Sequence, residues 1–121
     1  MSPPQRDLTT RSLRFSVELA AFVEGEQRRR MISLRILDQL LRAGTAIGAH
    51  NAEAESAITR RHLLALRAGA LKEALETEYW LELLTAGRRA HSQDALNDLM
   101  AQVSELIAIL TVCVKKLRGQ A

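Results

Sequence analysis

The sequence predicts an all-α chain folded as an antiparallel, up-down-up-down four-helix bundle, and three observations support that prediction. Apolar residues recur at alternating spacings of three and four through four long segments, the period of one face of a helix. The strong helix formers Leu, Ala, Glu and Arg dominate, with only two prolines and six glycines, few for a sheet protein dense in tight turns. The breaks between segments are short and polar, and short connections make successive helices antiparallel neighbours. With 121 residues, 47% of them hydrophobic and 26% charged, the chain has the size and apolar content of one domain, residues 1–121, with a real core.

The first six residues are polar and proline-bearing and are expected to fray. Helix one is expected over about residues 8–23, with Asp7 as its N-cap. Phe15, Leu19 and Phe22 form one stripe, Leu13, Val17 and Ala20 an adjacent one, and Glu24-Gly25-Glu26 breaks the pattern. Helix two is expected over about 27–53. Its seam of Leu34, Leu37, Leu41, Gly44 and Gly48 has coiled-coil spacing, and Ile36, Leu40, Ala43 and Ile47 widen it. Each glycine costs about 1 kcal/mol relative to alanine in a helix interior, so the pair Gly44 and Gly48 implies close helix packing, with another backbone passing nearby.

Thr59 is expected to cap helix three, about 60–86, with Gly87 as its stop. Leu63, Leu66, Ala70, Ala74, Leu81 and Leu84 mark its main stripe. Ser92 caps helix four, about 93–118, whose seam of Leu96, Leu99, Val103, Leu106, Leu110, Cys113 and Leu117 keeps the alternation unbroken. Helix four is also apolar beyond that seam. Met100, Ile107 and Val114 form a second column, Ala95 and Ile109 stand on the other flank, and residues 106–114 are apolar almost all round. Such a helix needs cover on more than one side. A homo-oligomer is therefore expected, with Met100, Ile107, Ile109 and Val114 in its interface.

The net charge is +3, from 17 Lys+Arg against 14 Asp+Glu. In an up-down-up-down bundle, Arg28, Arg29 and Arg30 lie near Arg88, Arg89 and His91. The opposite end gathers Arg60, Arg61 and His62 with Lys115, Lys116 and Arg118, joined by Arg6 and Arg11. Two basic ends fit RNA or DNA, held through phosphates with strong salt dependence and little sequence preference. Aromatic residues, 3% of the chain, are too scarce for a base-stacking platform. The alternative is a protein-binding scaffold or assembly module with no nucleic-acid role, its basic ends being ordinary solvated helix termini.

No enzyme is expected, and no cofactor, metal or small-molecule substrate. His50-Asn51-Ala52-Glu53 reverses the Glu-x-x-His order of di-iron bundles and occurs once, which favours a structural or capping role. Glu73 and Glu76 share a face without a companion acid, base or nucleophile. Tyr79 and Trp80 are expected to be packing anchors, and the single Cys113 a small buried hydrophobe. The opening residues lack the apolar stretch of a signal peptide. The longest uncharged apolar run, 106–114, falls short of the roughly 20 residues of a membrane span. A cytoplasmic protein without membrane contact is expected.

The segment Leu40-Leu41-Arg42-Ala43-Gly44-Thr45-Ala46-Ile47-Gly48-Ala49-His50-Asn51-Ala52-Glu53-Ala54 resembles the second-helix signature of the ribosomal RNA intervening-sequence proteins. Leu71-Lys72-Glu73-Ala74-Leu75-Glu76-Thr77-Glu78-Tyr79-Trp80-Leu81-Glu82-Leu83-Leu84 resembles their third helix. Asp7-Leu8 and the helix-four pattern extend the likeness over nearly the whole chain. The resemblance implies a four-helix bundle assembled as a homopentamer. Members of the family were first noticed within insertions in large-subunit ribosomal RNA genes. A related branch, the accessory variability protein of diversity-generating retroelements, is a basic pentamer that associates with a reverse transcriptase and nucleic acid. This sequence looks like the intervening-sequence type. It departs from the pattern at His62, where an acidic residue is usual, which weakens the capping box.

Overall fold

The apolar stripes close on one another as four helices. The computed structural model describes residues 4–119, with side chains from Asp7 onward: α1 (Pro4–Arg29), α2 (Leu34–Ala54), α3 (Arg60–Gly87) and α4 (Gln93–Gly119). Each helix packs on its chain neighbours and α4 closes back on α1, giving a four-helix bundle. The expectation for residues 1–3 and the side chain of Arg6 lie outside what is described.

The first turn of the chain differs from the sequence reading. α1 starts at Pro4, where a missing N–H costs nothing in a first helical turn, so Asp7 lies inside the helix instead of capping it. It also runs through Gly25 and ends only at Arg29. A lone glycine costs a helix about 1 kcal/mol, and here the packing of Val23 and Glu26, both buried, outweighs it. The chain then turns at Arg30, whose amide donates to the Glu26 carbonyl at 3.1 Å. α2 begins at Leu34 behind Ser33, whose Oγ accepts from the Ile36 amide at 3.4 Å. Arg28, Arg29 and Arg30 thus close α1 and do not open α2.

The later N-caps match the sequence reading, whereas the expected stop Gly87 is still helical and the left-handed cap falls one residue later. Thr59 Oγ1 accepts from the His62 amide at 3.1 Å, and Ser92 Oγ accepts from Ala95 at 3.0 Å. α3 ends at Gly87, and Arg88 takes the left-handed C-cap, its amide donating to Leu84 at 3.2 Å.

The core contains Leu8, Phe15, Leu19 and Val23 of α1, Leu37, Leu40 and Ile47 of α2, Ala70, Ala74, Leu81 and Leu84 of α3, and Leu96, Leu99, Val103, Leu106 and Leu110 of α4. One expected stripe of α1 and the first residue of the α2 seam face outward, while Leu37 and Gly44 of that seam are buried. Leu13 and Val17 are 64% and 63% exposed, and Leu34, in the first turn of α2, is 52% exposed. The two glycines of α2 serve the α1 contact. A Cβ on Gly44 would lie 2.1 Å from Leu19 Cδ2, and one on Gly48 would lie 3.4 Å from Ser12 Cβ and 3.5 Å from the Ser12 carbonyl.

One layer near the α1 N-terminal end is polar. Asn51, fully buried, donates through Nδ2 to Ser12 Oγ at 2.9 Å and accepts from Arg67 Nη1 at 3.0 Å. Thr9 Oγ1 donates to the Asn51 carbonyl at 3.5 Å. Arg67 is 4% exposed and its Nε has no partner. Burial lowers the pKa of its guanidinium, and Cys113 and Glu55 act against that shift. On the α2–α3 surface, Arg42 spans Glu73, at 3.2 Å, and Glu76. Trp80 Nε1 also donates to Glu76 at 3.1 Å. These two donors, Trp80 first, hold the Glu76 carboxyl below the usual carboxylate range.

Candidate nucleic-acid interface

The turn after α1 and the turn between α3 and α4 meet at one end of the bundle. The Glu26 carboxylate, 3% exposed, joins them. Its Oε2 accepts from the His91 amide at 2.8 Å, and its Oε1 pairs with Arg29 Nη1 at 2.8 Å. The same Arg29 nitrogen donates to the Arg89 carbonyl at 3.2 Å. The two arginine groups expected to be neighbours are therefore bound together through backbone and carboxylate.

Only Arg29 of this end is neutralised in that way. Arg28, Arg30, Arg88 and Arg89 are exposed, and none has a carboxylate at ion-pair distance among the described residues. Arg35, in the first turn of α2 at the same end, is also exposed and was absent from the sequence reading. Beside them, Gly25, Glu26, Arg28, Arg29, His91 and Ser92 line an open depression of about 540 Å³.

The backbone at this end is strained. Arg30 and Arg88, with φ of 58° and 55°, are the two non-glycine residues of the described chain in the left-handed region. That conformation costs an L-residue with a Cβ roughly 1–2 kcal/mol, and glycine is the usual occupant after a helix. Both turns here place an arginine there. Strain kept at a surface site is a pointer to function.

The opposite end is less purely basic. Arg60, Arg61 and His62 open α3, where no acidic residue occupies the first turn, so three basic side chains stand at the positive pole of a helix. Lys116 and Arg118 close α4, where the dipole favours them, and Lys115 is exposed beside them. Acidic side chains lie among them: His62 is 3.9 Å from Glu53, and Arg11 pairs with Glu105 at 2.9 Å.

The residues expected at an oligomer interface divide into two groups. Val114 is 2% exposed within the single chain, so its own core uses it and it is not part of an open face. Met100, Ile107 and Ile109 are partly buried and pack against that core from its margin. By length and composition α4 is apolar enough to cross a membrane, although its longest uncharged run is short, and 33% of its most apolar 18-residue window lies buried in the bundle. Tyr79, expected to anchor packing, is 57% exposed, while Trp80 packs against the core at half-burial. Cys113 is buried, as expected. Among the described residues, no group of three His, Cys, Asp or Glu side chains is placed to hold a metal ion.

Besides Arg35, the sequence reading missed Glu26. It lies in what looks like a helix break, and its partner His91 is 65 residues away; no local pattern points to it.

Residues 7–112 match the model of a family described as 23S rRNA-intervening sequence protein. The chain is also similar to the solved structure of a protein of unknown function from the S23 ribosomal protein family of Bacteroides thetaiotaomicron. The two are 30% identical with a TM-score of 0.85, over 93% of this chain and 99% of that one. No curated protein matches.

Proposed function

This chain belongs to the 23S rRNA-intervening sequence protein family, and from that premise we propose a non-enzymatic, self-associating bundle that binds RNA or DNA through its arginine-rich ends. The observation that carries the nucleic-acid reading is the set Arg28, Arg30, Arg88 and Arg89. Among the described residues none of these four exposed guanidiniums has a carboxylate at ion-pair distance, and they stand in two turns bound to one another through Glu26 and Arg29. Guanidinium forks suit phosphate oxygens, and an end held rigid keeps several of them at fixed spacing. Contacts of this kind position a backbone without reading bases, so affinity should follow salt much more than sequence.

Self-association rests on α4. One third of its most apolar window is buried in the single chain, Met100, Ile107 and Ile109 are covered only in part, and Val112 is 53% exposed. Gln102, Ser104, Glu105 and Thr111 are spread along that helix, a mixture that suits protein cover better than lipid. Assembly as a homopentamer, which the family likeness implies, would gather the arginine ends into a ring, and five chains of +3 would carry +15.

The test is a binding titration of the full chain with random RNA and DNA at rising salt, alongside a variant with Arg28, Arg30, Arg88 and Arg89 changed to Glu. Binding that weakens steeply with salt and is lost in the variant supports the proposal; no binding at low salt refutes it. Light scattering should give several times the 13.5 kDa chain mass, and Ile107→Glu should lower it. A monomer at micromolar concentration would end the assembly reading. An oligomer that binds no nucleic acid would leave the scaffold alternative.

A further inference from the structure

α3 carries a second seam that its own bundle leaves open. Its buried residues include Ala70, Ala74, Thr77, Leu81 and Leu84. Away from them, Ala68, Lys72, Leu75, Tyr79, Glu82 and Ala86 follow at spacings of 4, 3, 4, 3 and 4, the contact line of a coiled coil. Leu75 is 49% and Tyr79 57% exposed, and Lys72, Glu82 and Ala86 are exposed as well. The line spans about 27 Å of helix at 1.5 Å per residue.

This line is complementary to its own reverse. When an antiparallel copy sets Leu75 against Tyr79, Lys72 falls opposite Glu82 and Ala68 opposite Ala86, and a two-fold axis repeats each pair. Other registers lose the match. A parallel, in-register partner sets Lys72 against Lys72 and Glu82 against Glu82. An antiparallel partner shifted by one heptad sets Lys72 against Arg89 or against Leu75. We propose that a second copy of this chain docks antiparallel on α3 along this line, about a two-fold axis between Leu75 and Tyr79. Glu76 and Glu78 stand one residue to either side of that axis, so each approaches its own copy there; Arg42 already pairs with Glu76, and the two Lys72–Glu82 pairs offset the remaining repulsion. The contact uses neither the basic ends nor the apolar margin of α4, and a two-fold contact cannot close a five-membered ring, so beside a pentamer it would join one ring to another and stands or falls apart from the function proposed above.

Charge reversal tests it in the full chain, read by sedimentation equilibrium across a concentration series. Lys72→Glu or Glu82→Lys alone sets like charges together at two places and should weaken the two-fold step by roughly tenfold. The double variant Lys72→Glu with Glu82→Lys restores both pairs and should recover the original association. These side chains are exposed, so circular dichroism should report an unchanged fold. As a direct measure, mixing Leu75→Cys chains with Tyr79→Cys chains should give the mixed disulfide in preference to either self-disulfide. Single reversals without effect, a double variant no better than the singles, or no preference for the mixed disulfide would overturn the proposal.

Discussion

Replacing Arg30 and Arg88 by glycine should make the protein more stable while weakening its hold on nucleic acid. Both residues sit near φ of 55–58°, and relieving a side chain there recovers roughly 1–2 kcal/mol. Glycine also loosens the unfolded chain, which returns about 0.4–1 kcal/mol of that gain. The backbone bonds that close the turns, Arg30 to Glu26 at 3.1 Å and Arg88 to Leu84 at 3.2 Å, need no side chain and should survive. The net gain is about 0.5–1 kcal/mol per site. With roughly 2.1 cal/mol/K of unfolding entropy per residue, a domain of this length gains about 4 °C per kcal/mol, so the double variant should melt about 4–8 °C higher. Thermal unfolding by circular dichroism, at one fixed protein concentration because association adds to stability, measures this. The salt dependence of RNA binding should become shallower by about one for each contacting arginine removed. A double variant that melts lower than the parent would refute the reasoning, because the arginine side chains would then be holding the turns together.

Gly44→Ala and Gly48→Ala should part in sign. The first drives a methyl into buried Leu19 and should cost about 1–3 kcal/mol by overpacking. The second meets only ordinary contacts at 3.4–3.5 Å and should be neutral or gain up to about 1 kcal/mol of helix propensity; urea titration compares them. Asn51→Ala strands Arg67 and Ser12 in the interior and should cost about 2–4 kcal/mol, and an equally stable variant would show that the polar layer is dispensable. Glu76 has its pKa lowered in the fold by Trp80 and Arg42. Its contribution is therefore present above the unfolded carboxylate pKa and is lost as pH falls through the lower folded value. The unfolding midpoint of Glu76→Gln should accordingly depend less on pH over the acid range than that of the parent.

The bundle was legible in the sequence because its determinants are local. Thr59 and Ser92 cap the helices they precede through bonds to amides three residues on, and the unbroken seam of α4 is the buried face of that helix. The seam of α1 was harder to read, since Leu13 and Val17 lie next to the Phe15–Leu19 stripe and only neighbouring helices decide which column turns inward. The end of α1 escaped for the same reason. Gly25 reads as a stop until Glu26 is seen to be buried under the α3–α4 turn. Arg67 offered no signal either, because a charged residue beside an apolar stripe is normally solvated. Its burial depends on Asn51, 16 residues earlier. The arginines at the bundle end were visible as composition; that Arg28, Arg30, Arg88 and Arg89 have no carboxylate at ion-pair distance among the described residues, and that Arg30 and Arg88 are left-handed, became visible only in three dimensions.

The Ser12–Asn51–Arg67 layer has a consequence for alignment. Leucine repeats look nearly alike after a slide of one heptad, so grease alone would tolerate helices displaced along one another. A hydrogen-bonded set drawn from three helices tolerates no such slide, since any offset leaves an amide and a guanidinium dry and unmatched. It serves as an index mark for the stack. Twenty-one residues separate Arg67 from Arg88, about 30 Å along the helix, and the height at which the two arginine turns meet is set from that distant mark.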